Sequence, residues 1–136
     1  MNGTLKRLAA KAGVVTATAA LLTGVGLGTA NASPNAAYIG DGYANNAHAV
    51  WCVQHLYNVF AKEQRDRYHY ATPDIAEDAA WGPRTKAAVT LLQSWYSETQ
   101  DGIVGPNTGW DLLHLDSGYG GKGGYCYQYI PSPSWY

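Results

Sequence analysis

Cationic side chains, cysteine and phenylalanine are all scarce in this sequence. Its 136 residues hold nine Lys or Arg against ten Asp or Glu, with two Cys and one Phe. Three of the cations, Lys6, Arg7 and Lys11, stand ahead of an apolar run from about Ala12 to Leu27. Ala30-Asn31-Ala32 then supplies a small-x-small pattern, so 1–32 reads as a secretory signal peptide cut before Ser33. The run is short and rich in Ala, Gly and Thr, which favours cleavage over a membrane anchor, and no Cys near the cut offers a lipid attachment. Cleavage leaves six of the nine basic residues against ten acidic ones, a net charge of −4. Such a chain is a poor partner for nucleic acid and other polyanions, whose binding depends on Lys and Arg.

Sequence patterns of catalysis are equally sparse. There is no His-Glu-x-x-His, and His48 and His55 are two helical turns apart, too far to share an ion unaided; they read as solvated helix residues. Neither Gly-x-Ser-x-Gly nor Ser-x-x-Lys occurs. Glu77, Asp78 and Asp101 could in principle supply a carboxylate pair for glycoside hydrolysis. Asp78 and Asp101, however, fall in turns, where a carboxylate is used on backbone amides. The expectation is a non-enzymatic chain without metal or cofactor.

What the sequence has in quantity is Tyr and Trp, eleven and five, and one motif stated twice. Asp78, Ala79, Trp81, Gly82, Pro83 and Thr85 are echoed by Asp101, Gly102, Val104, Gly105, Pro106 and Thr108. Asp-Gly makes a tight turn because Gly tolerates positive φ. Gly-Pro opens a helix, Pro being pre-set for the first helical position. The two Asp are expected to cap these helices, with the Thr hydroxyls within reach of the turn carboxylates. The first Gly-Pro helix should run from Pro83 to about Tyr96, its stripe Val89, Leu92, Gln93 and Tyr96 facing inward. A second echo, Ala49-Val50 to Gln54 against Ala88-Val89 to Gln93, predicts an earlier helix starting at Asn45 or Asn46, with Val50, Val53, Tyr57 and Phe60 on one face. Gln54 and Gln93 lie on apolar stripes and must find partners in the nearby turns.

On these residues, from about Ala49 to Leu113, the chain resembles the peptidoglycan-binding domain family, the small helical modules attached to many bacterial wall hydrolases. Asp101-Gly102-Ile103-Val104-Gly105-Pro106-Asn107-Thr108 followed by Leu112 carries the match. The first half is looser: Ala79 stands where the family has Gly, and the loop from Ala61 to Glu77 is long. Ser97 and Glu98 replace a usual Gly and apolar residue, and Trp95 a usual small one. The resemblance implies an all-α three-helix bundle at 47–115; composition adds an extended arm at 33–46, which has no helical period, and a Gly- and Tyr-rich tail at 116–136. It implies non-covalent binding of peptidoglycan, through its glycan or its stem peptide, by a secreted, wall-associated protein that could also recruit a wall hydrolase. A secreted protein-interaction or inhibitory module that keeps the fold without the ligand is the alternative. No membrane contact is expected after the leader is removed.

Aromatic faces with amide and hydroxyl neighbours suit sugars and other small ligands. The expected groove has Trp95 as one wall and the turn Asp101, Gly102 and Ile103, with Trp110, as the other. Trp81 is expected in the core, and Trp51 beneath the tail. Two cysteines in an exported chain are most simply a disulfide, Cys52 to Cys126, tying the tail across the first helix.

Overall fold

The computed structural model describes residues 35–136; the predicted leader and its cleavage point lie outside them. The described chain is a small all-α bundle of three helices, α1 (Ala47–Tyr68), α2 (Pro83–Trp95) and α3 (Pro106–Leu115), closed by a Cys52–Cys126 disulfide. α1 starts where Asn46 turns its side chain onto the free amides of His48 and Ala49, at 2.8 and 3.4 Å. It runs on about two turns past Phe60, through a charged stretch that the sequence reads as surface loop with room for the helix to continue a turn or two, and stops at His69, whose left-handed backbone (φ 57°) closes its N–H onto Arg65. Val50, Val53, Tyr57 and Phe60 are buried as their spacing predicts, packed against Val89 and Leu92 of α2 and Leu112 and Leu113 of α3.

α2 and α3 both begin with Pro behind an extended Gly, Gly82 and Gly105. Neither has a side-chain cap, which corrects the expectation for Asp78 and Asp101. The Thr hydroxyls also miss the turn carboxylates: Thr85 faces the Ala80 carbonyl at 3.5 Å, and Thr108 donates to Glu98 at 2.6 Å.

Arm and tail both enter the core. Ile39, buried, pairs with Val104 in an isolated antiparallel bridge, with N–H to carbonyl distances of 3.2 and 2.8 Å. The tail forms a short 3-10 turn, η1 (Tyr125–Gln128), and buries Cys126, Tyr127 and Ile130. It crosses α3 at Gly109, where a Cβ would lie 1.8 Å from the Pro131 carbonyl oxygen. Glycine is weak in a helix interior, but here it is what admits the tail. The disulfide joins residues 74 apart with Cα atoms 5.5 Å from one another, within the normal range. No helix among the described residues is long and apolar enough to cross a membrane.

Candidate functional site

Each Asp turn is held by a glutamine on the preceding helix. Gln54, on α1, directs Nε2 at Asp78 Oδ1 (2.8 Å), the Ala80 carbonyl (3.1 Å) and Thr85 Oγ1 (3.1 Å), while its Oε1 accepts the Ala79 N–H (2.9 Å). Gln93, on α2, repeats the pattern with Asp101 Oδ1 (2.9 Å), the Ile103 carbonyl (3.0 Å), Thr108 Oγ1 (3.2 Å) and the Gly102 N–H (2.9 Å). In both copies the Asp also accepts the amide two residues on, Ala80 at 3.0 Å and Ile103 at 2.8 Å. The Ala80 amide, and then the Gln54 side chain, hold the Asp78 carboxyl below the usual carboxylate range. These carboxylates therefore pin a turn to a neighbouring helix.

The residue after each Asp takes the left-handed conformation, Ala79 at φ 60° and Gly102 at φ 70°. At Gly102 a Cβ would also lie 2.8 Å from Lys86 Cγ, so glycine is required twice over; at Ala79 the chain accepts backbone strain.

Over each turn lies a hollow. The one on the second turn, about 440 Å³, is lined by Glu98, Thr99, Asp101, Ile103 and Asn107, with the Tyr38 ring of the arm against Gly105. The one on the first, about 410 Å³, is lined by Ile75, Asp78, Ala80, Trp81, Pro83 and Arg84. The two share a frame 23 residues out of phase but differ in wall chemistry. The Thr108 hydroxyl donates to Glu98 on the rim of the second hollow, a contact with no counterpart at the first, and Ser97 beside it takes a left-handed backbone conformation (φ 57°).

Of the expected groove, the structure brings together Asp101 and Ile103, with Gly102 behind them. Trp95 lies elsewhere, edge-on to Tyr70 and Phe60 at 5.0 and 6.1 Å between centroids. Trp110 lies on α3 against His114 at 4.1 Å and Trp135 at 6.0 Å. Tyr96 does not continue the buried stripe; at 42% exposure it ends α2 beside Trp95 at 41%. The wall expected of Trp95 is supplied instead by Tyr38, for which the sequence carries no signal because the arm has no period.

Other side chains depart from their sequence reading. Trp81 is half-buried, with its indole N–H on Asp41 Oδ1 at 2.9 Å. His48 and His55 are not simply solvated. His48 Nδ1 lies 2.5 Å from the Tyr125 hydroxyl, and His55 Nδ1 lies 3.1 Å from Glu77 with its ring stacked on Trp51. Trp51 lies under Tyr119 and Tyr125 of the tail, as expected. Asp111, which the sequence did not single out, is buried on α3; burial, and then the nearby Glu98 charge, raise its carboxyl to about 6. Among the described residues no group of three or more His, Cys, Asp or Glu could hold a metal ion. No protein-family model, curated protein or solved structure matches this sequence.

Proposed function

We propose that this chain is a secreted, non-catalytic module that binds bacterial cell-wall peptidoglycan through the hollow over its second turn. The observation that carries this reading is the turn from Asp101 to Thr108, pinned by Gln93 beneath a solvent-facing hollow. Its walls mix an aromatic ring, Tyr38, with the hydroxyl of Thr99, the amide of Asn107 and the carboxylates of Glu98 and Asp101. Such a set can hold sugar hydroxyls or peptide amides while a ring covers an apolar face. A disulfide is at home outside the cell, which is compatible with export and wall association. The sequence resemblance supplies the polymer's identity.

The test is co-sedimentation of the chain 33–136 with purified insoluble peptidoglycan. Retention that falls several-fold in Tyr38→Ala and Asn107→Ala supports the site. Retention unchanged by both places the contact elsewhere. No retention of the folded wild type removes the wall reading and leaves a protein-interaction module.

A further inference from the structure

The first-turn hollow differs from its twin at several places, and three of the changes set its chemistry. Trp81 stands 23 residues before Val104, which is fully buried. Indole is too large for that slot, so Trp81 stays half-buried and its ring forms a wall of the hollow. The ring is fixed by its N–H on Asp41, whose other oxygen takes Lys86 Nζ at 2.6 Å. Ala80 stands in place of Ile103, which leaves room above the turn. Arg84 stands in place of Asn107.

Arg84 is the informative residue. Among the described residues, Lys62, Arg65, Arg67 and Lys86 all sit in ion pairs, and Lys122 lies over the Tyr136 ring. Among the described residues Arg84 alone of the cations has no ion pair, side-chain hydrogen bond or ring contact, and it lines a hollow walled by Trp81, Ile75, Pro83 and Ala80. Guanidinium is planar and presents paired donors that match a carboxylate in bidentate fashion. Asp78 on the same wall spends Oδ1 on Gln54 and Ala80, leaving Oδ2 to accept an N–H from a ligand.

From this arrangement we infer that the first-turn hollow is a second binding site, for the C-terminal end of a short peptide bearing a small aliphatic last side chain. The terminal carboxylate pairs with Arg84, the last peptide N–H donates to Asp78, and the aliphatic side chain lies against Trp81 and Ile75. About 410 Å³ accommodates one or two small residues. The inference rests on the wall-binding reading only for the source of such a peptide, the stem peptides of the polymer. Its chemistry is independent of that source.

The experiment titrates isotope-labelled chain 33–136 with alanyl-alanine, in parallel with its C-terminal amide, and follows the Trp81 indole N–H and the Arg84 side-chain resonance. Both should shift with the free acid and be nearly still with the amide. Arg84→Gln should weaken binding about tenfold, as expected for loss of a hydrogen bond to a charged group. Arg84→Lys, which keeps the charge but not the fork, should fall between. Arg84 is exposed and holds nothing in the fold, so an unchanged amide spectrum verifies that the variants are folded. Equal response to acid and amide, shifts confined to Tyr38 and Asn107, or no response at about 10 mM, a tenfold excess over a weak millimolar site, would overturn the inference. Wall retention without a peptide response overturns this site alone. A peptide response without wall retention overturns the wall reading alone.

Discussion

Replacing Gln93 by Leu removes an amide and little volume from a position that is 1% exposed. Four groups lose their partner at once: the Gly102 N–H, the Ile103 carbonyl, the Asp101 carboxylate and the Thr108 hydroxyl. Thr108 still donates to Glu98 and Asp101 still accepts from Ile103, so those two are only weakened. The Gly102 N–H is buried and keeps nothing. Stranding one buried donor costs about 1–3 kcal/mol, and each lost net bond about 1 kcal/mol. The variant should therefore be destabilised by about 3 kcal/mol. For a domain of this size that is a fall in Tm of roughly 10–20 °C. Urea unfolding with the disulfide intact measures it, and the denaturant slope should not change. A loss below about 1 kcal/mol would mean that the turn satisfies itself locally and the glutamine is incidental.

Other expectations follow from particular contacts. Asp101→Ala should cost about 1–2 kcal/mol, because its carboxylate accepts both Gln93 and the Ile103 amide, while Asp101→Asn, which keeps an acceptor, should cost less than half of that; chemical denaturation of the pair separates a turn role from a charge role. Reducing the disulfide opens a loop with a separation of 74 residues, and the chain-entropy treatment gives a loss of about 4 kcal/mol, read as a reductant-dependent Tm. Asp111 has its folded carboxyl raised to about 6 from 3.8, so the fold binds more protons than the unfolded chain between those values and loses stability as pH rises through that window. Asp111→Asn should therefore raise Tm at pH 7.5 by about 5 °C, with the gain shrinking towards zero near pH 4. Trp95→Ala should leave wall retention unchanged in the co-sedimentation assay, since its ring lies against Phe60 and Tyr70 and does not line the second-turn hollow.

The helices were legible in the sequence because their signals are local. Asn46 caps, Pro83 and Pro106 start, and the Val50–Phe60 stripe repeats at helical spacing. The echo of Gln54 in Gln93 was legible too, and it marks the glutamines that hold the turns. The role of the two Asp was misassigned because Gly-Pro needs no side-chain cap, which frees the carboxylate to face the opposite way, towards the glutamine. One wall of the site could not be read at all, and of the tail only its tie across α1 could. Tyr38 reaches the second-turn hollow through a single pair of backbone bonds between Ile39 and Val104, and one bridge leaves no period. The path of the tail depends on Gly109, Gly120 and Gly124, where backbone would lie 1.8, 2.4 and 2.4 Å from an added Cβ; close approach of that kind is written in no pattern of neighbours.

The glutamine arrangement also imposes a direction on the fold. α1 carries the residue that fixes the turn before α2, and α2 carries the one that fixes the turn before α3; no contact of this type runs backwards. The grammar is that of a relay, in which each helix addresses only its successor. An error at Gln54 misplaces α2 and with it Gln93, whereas an error at Gln93 leaves the first joint as it was. The position ten residues after the α3 proline, where α2 has Gln93, is Asp116, just past the end of α3, and it accepts the Gly118 amide at 2.8 Å. The relay ends there, and the tail, laid over α3 and bonded back to α1, serves as its stop.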